Sequence, residues 1–168
     1  SVLLGMLAGT AILTASLRLV TPLMADAMAQ NLPASWVKTS SEHVLGSFEH
    51  RVFQPSRHPQ AELESLRNQF AALSAPPAGA PPYRLLFRSS TAPETLLQAF
   101  PGGEIVVTDQ FLEAIPDQGE RLALLCHELG HLQHQHALRN AIGHNLYWLA
   151  GAAFLGNVDG SVHALSNG

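Results

Sequence analysis

The chain has 168 residues and a formal charge of −4, with 13 acidic against 9 basic residues, and 46% of it is hydrophobic. That length suits one ordinary domain with enough apolar material for a core, and with Lys38 as the single lysine there is no basic stripe for a nucleic-acid backbone. One cysteine, Cys126, excludes an internal disulfide framework and a cysteine-rich zinc site, whereas five of the 9 histidines (His127, His131, His134, His136 and His144) crowd into one short stretch.

Residues 1–17 carry no charge, and with Val20 beyond Arg18 they approach the roughly 20 apolar residues of a membrane helix. We read residues 1–20 as a transmembrane anchor, with membrane lipid as the partner it implies. A cleaved signal peptide fits less well, because there is no initiator methionine, basic leader or clear small-residue cleavage site. A buried core helix is the plainer alternative. The orientation is not fixed by flanking charge, since the preceding flank is expected to belong to a longer protein.

Residues 21–58 turn mixed and polar, and Pro22, Pro33 and Pro55 predict short juxtamembrane segments. Over Gln60–Leu73, the positions of Leu63, Leu66, Phe70 and Leu73 predict an amphipathic helix facing a core; it completes a juxtamembrane and helical segment at 21–73. Four prolines and a glycine make residues 74–82 a surface loop. Beyond it, residues 83–168 form a new unit. Residues 83–88 (YRLLFR) and 104–108 (EIVVT) read as strands, the second introduced by Pro101-Gly102-Gly103. A short helix at 109–115 is stopped by Pro116, and Asp117 stands three residues before Glu120 as the start of a long helix. Strands followed by helices predict an α+β fold.

At 100° per residue, Leu122, Leu125, Cys126, Leu129 and Leu132 share one side of that helix, and His127, His131 and His134 share the other. Histidines one turn apart can both reach a tetrahedral Zn²⁺ at about 2.0–2.1 Å, so His127 and His131 are the predicted metal ligands. Glu128 lies 100° round from His127, where it flanks the metal and can take a proton from the attacking water, so it is the predicted catalytic base. Such chemistry needs no serine or cysteine nucleophile. His134 is read as solvated or supporting rather than ligating. His136 falls on the apolar side with Cys126, which is expected to be a buried, inert thiol; His144 sits near a helix end. A surface helix that merely happens to be rich in histidine is the bland alternative.

The stretch 101–139 resembles the HtpX-type zinc endopeptidases, a group that includes the CAAX prenyl endopeptidases and BepA-like periplasmic proteases. The shared pattern is the Pro101-Gly102-Gly103 turn, the strand ending Val107-Thr108, a short helix, His127-Glu128-Leu129-Gly130-His131, and His136 five residues further on. The resemblance implies a mostly helical, zincin-like (gluzincin) domain with a small sheet beside the HExxH helix. It implies one Zn²⁺ held by His127 and His131, with Glu128 as base. It further implies unfolded or membrane polypeptide substrates in envelope quality control, and a bacterial inner-membrane location with a single anchor. The strand after the turn, Gly102, Gly103, Glu104, Ile105 and Val106, is then expected to be the sheet edge on which substrate adds.

Two departures matter. Leu96-Leu97-Gln98-Ala99-Phe100 stands where the family has an Asn-Ala-Phe-Ala-Leu run. The family's third zinc ligand, a glutamate on a later helix, has no counterpart, because no glutamate follows Glu128; Asp159 and His163 lie in no matching motif. A chain ending before the third ligand is the expected explanation, and a catalytically silent scaffold or chaperone is the alternative. A metal-buffering role for the histidines would instead require several metals bound. Residues 146–158 are apolar and are expected to form a buried or membrane-dipping helix.

Overall fold

The computed structural model describes residues 2–73, 82–92, 94 and 96–155. In chain order the elements are α1 (Val2–Asn31), α2 (Ala34–Arg51), β1 (Phe53–Pro55), α3 (Gln60–Leu73), β2 (Arg84–Ser90), β3 (Leu97–Ala99), β4 (Glu104–Thr108), α4 (Asp109–Ala114), α5 (Gln118–Gln133) and α6 (His136–Leu155). The chain divides into two compact units, one of residues 33–137 and one of residues 1–32 with 138–168.

The first of these units is built on a four-stranded sheet in the order β1-β2-β4-β3. β2 and β4 run parallel, with Arg84 opposite Glu104 and Arg88 opposite Thr108, while β1 and β3 are antiparallel additions at the two sides. β4 is buried at all five positions, and a near-continuous apolar run is what a central strand covered on both faces needs. Its side chains alternate between two cores. Ile105 and Val107 join Leu85 and Phe87 of β2 under Leu63, Leu66 and Phe70 of α3, Phe111 and Leu112 of α4, and Leu125 and Leu129 of α5. Val106 points the other way, to Leu45 of α2, Phe53 and Phe100. The mostly helical α+β architecture with a small sheet is as expected.

The sheet corrects one expectation about the site. The strand after the Pro-Gly-Gly turn is not an edge, because β4 is paired with β2 on one side and, from Ile105 to Val107, with β3 on the other. The reason is the turn itself. Pro101-Gly102-Gly103 closes a hairpin, with Gly103 N–H donating to Phe100 O at 3.0 Å and Phe100 N–H to Glu104 O at 2.7 Å, so the residues before it must fold back along β4. Gly103 has φ +101°, and a Cβ there would stand 2.5 Å from the Pro82 carbonyl oxygen, so the position demands glycine. Ser41 of α2 fastens the turn from the other face: its Oγ accepts from Gly102 N–H at 2.9 Å and donates to buried Glu104 at 3.1 Å.

Other expectations shift locally. Residues 21–58 are not short segments: α1 continues through Pro22 to Asn31, and α2 follows over 18 residues. An internal proline costs about 3 kcal/mol, which a 30-residue helix sets against bonded turns on both sides. Leu73, expected to face the core, is 59% exposed at the end of α3. The proline-rich loop lies outside the described residues apart from Pro82.

In the other unit, Thr21, Ala25 and Ala29 are buried one turn apart on α1, and Asp26 pairs with Arg139 of α6 at 3.2 Å. Leu3–Asn31 is long and apolar enough to cross a membrane, by length and composition, with mean hydropathy 1.7 and none of that window buried. The 146–158 stretch is helical to Leu155 as the second half of α6, with Tyr147, Trp148 and Leu149 exposed rather than in a core; residues 156–158 lie outside the described residues.

Candidate metal centre

The site stands on α5, and α5 is held at three places. Asp117 caps its start, its side chain accepting from Glu120 N–H at 2.8 Å, which satisfies a donor that a bare helix end would leave open. Arg121 reaches back to the carbonyls of Leu112 and Ile115, tying the first turn of α5 to the end of α4. Leu125, fully buried, and Leu129 then sink one face into the core beside α3 and β3. The opposite face is thereby presented outward with His127 and His131, and half-buried Glu128 lies at its flank.

On that face the two imidazoles converge. His127 Nε2 and His131 Nε2 are 2.9 Å apart, with ring centroids separated by 4.5 Å and planes at 87°. The ligand atoms of His127, Glu128 and His131 all lie within 4.8 Å of one another, and among the described residues no other group of His, Cys, Asp or Glu is gathered so closely. Two nitrogens on a tetrahedral zinc are roughly 3.3 Å apart, from bond lengths of about 2.0–2.1 Å. A few tenths of an ångström of ring rotation covers the difference, so the donor set fits zinc, which favours neutral imidazole nitrogen. His127 is exposed while Glu128 and His131 are half-buried, so the group opens to solvent on one side and is backed by protein on the other.

His136 is placed differently from the sequence reading. A continuous helix would put it on the apolar side, but α5 ends at Gln133, Gln135 takes φ +53°, and α6 begins at His136. The break turns the chain so that His136 is exposed and its Nδ1 stands 2.7 Å from Nδ1 of His131. His134 is exposed and stacks on His136 with centroids 5.5 Å apart. No glycine or proline marks this break, so periodicity had no signal for it. Cys126 is exposed, not buried, because the face anchored by Leu125 and Leu129 is narrow and Cys126 falls at its rim. Asp159 and His163 lie outside the described residues.

No curated protein and no solved structure matches the chain. The model of peptidase family M48 does, over residues 57–165. That span begins just before α3, takes in β2, β3 and β4 and the whole of α5, and covers well over half of the sequence. M48 peptidases are generally zinc-dependent, in keeping with the histidine pair found here. By that match the chain belongs to peptidase family M48, a family of proteases.

Proposed function

We propose that this protein is a zinc endopeptidase of the HtpX type, held at a membrane by α1 and cleaving unfolded or membrane-derived polypeptides in quality control. The observation that carries the reading is the convergence of His127 and His131 through Nε2 with Glu128 beside them. A zinc ion bound there supplies Lewis acidity toward the scissile carbonyl and acidifies water. His127 and His131 hold it through Nε2. A Glu128 carboxylate oxygen takes a proton from the attacking water as the new C–O bond forms. It then delivers that proton to the amide nitrogen as the C–N bond breaks. Leu125 and Leu129 keep these groups in register by fixing α5 in the core.

The polypeptide is proposed to lie along β3. In an antiparallel pair alternate residues turn their backbone groups toward the partner strand. Leu96 and Phe100 do so here, through Thr108 N–H to Leu96 O at 3.1 Å and Phe100 N–H to Glu104 O at 2.7 Å. Leu97 and Ala99 therefore face the open edge, where the Gln98 side chain donates to Ala99 O at 3.2 Å. A bound strand would take the place of that amide. Gly102 to Val106 act behind the edge by supporting β3.

Glu128→Gln tests the chemistry. With zinc supplied, casein cleavage should fall by roughly 10²–10⁴-fold while bound zinc stays at the level of the unsubstituted chain, because the base is not a ligand. Cleavage at the original rate would reject the role. The open β3 edge also suits a second reading, a silent scaffold that offers that edge to clients. It predicts client binding by the unsubstituted chain with neither zinc nor cleavage.

A further inference from the structure

The contact between His131 and His136 carries more than proximity. A neutral imidazole has one N–H and one lone pair, and a hydrogen bond at one nitrogen fixes which is which. At 2.7 Å the two Nδ1 atoms share a proton. If His136 donates, His131 must carry its own proton on Nε2, the atom that faces His127 Nε2. If His131 donates, its Nε2 carries the lone pair, which accepts from His127 Nε2–H at 2.9 Å in the metal-free chain and is open to a metal once His127 carries its own proton on Nδ1. Only the second arrangement is compatible with ligation.

We infer that His136 is a positioning residue: its Nδ1 accepts the Nδ1 proton of His131 and holds His131 in the tautomer whose Nε2 is free for a metal. His136 then carries its own proton on Nε2. This rests on the peptidase reading for its purpose, though the tautomer itself does not. Ligating histidines characteristically donate their second nitrogen to an outer group that fixes ring orientation; the partner here is another imidazole. The backbone is bent for it. Gln135 sits in the left-handed region without being glycine, an arrangement that costs of order 1–3 kcal/mol and persists only where surrounding structure enforces it. Without that residue α5 would run on into α6 and carry the His136 ring round to the other side.

The test uses the full chain and two substitutions, His136→Ala, which removes the acceptor, and His136→Asn, whose Oδ1 can replace it. Long-range ¹H–¹⁵N correlation spectra of the metal-free protein report the tautomer of His131. The unsubstituted chain and His136→Asn should show protonated Nδ1, and His136→Ala should shift His131 toward protonated Nε2. Zn²⁺ affinity, read by chelator competition, should fall roughly 10–100-fold in His136→Ala and by less than threefold in His136→Asn. An unchanged His131 tautomer in His136→Ala overturns the inference, as does an equal loss of affinity in both variants. If the unsubstituted chain binds no zinc, the peptidase reading fails while the tautomer measurement still decides the role of His136.

Discussion

α5 and α1 are both helices with many leucines, and they dispose of them in opposite ways. α5 buries Leu125 and Leu129 in a core shared with the sheet and leaves histidines and a glutamate outside. α1 leaves Leu3, Leu4, Leu7, Ile12, Leu19 and Leu23 exposed and buries small residues, Thr21, Ala25 and Ala29. The difference lies in how the apolar residues are spaced. On α5 they recur at three and four residues with polar residues between, so one face can be buried while the other does chemistry. On α1 they run all round the helix, a surface for which water is a poor solvent and lipid a good one.

Substitutions can break this contrast or sharpen it. Leu125→Ala should cost about 2–5 kcal/mol in urea unfolding of the 33–137 unit and weaken zinc binding with it, whereas Leu7→Ala should leave that transition in place. Equal effects from the two would show that α5 is not anchored as described. Ile12→Arg puts a charge in the middle of the apolar run. It should oppose membrane insertion by about 3 kcal/mol, seen as loss of the chain from floated vesicles, with the urea midpoint of the 33–137 unit unmoved; retention on the vesicles would remove α1 as the anchor. Asp117→Ala is the mildest change. Losing the cap should lower stability by about 1 kcal/mol, read as a lower thermal midpoint, while the zinc affinity of the folded chain stays unchanged.

The same contrast explains what could be read from the amino acids. α3, β4, α4 and α5 each carry a local signature, either helical spacing, an unbroken β-branched run or a cap at a turn, and each forms close to where that signature lies. β1 and β3 are three residues long and owe their existence to β2 and β4 beside them, so no window around Gln54 or Gln98 reveals them. Missing β3 is what made β4 look like an edge. Of the site, the convergence of His127 and His131 followed from one-turn spacing alone. The approach of His136 depends on a single backbone torsion at Gln135, which neighbouring residues do not announce.

The clasp around Gly103 has an evolutionary consequence. Arg84 N–H donates to Gly103 O at 2.9 Å, so β2 is seated against β4 from its first residue, immediately after the proline-rich stretch. The register of the sheet is therefore pinned at this turn, with Ser41 of α2 holding Gly102 and Glu104 from the other face. Descendants of this chain are therefore expected to keep glycine at 103 while neighbouring positions drift, because any side chain there meets the Pro82 carbonyl and loosens β2 from β4 at its first residue.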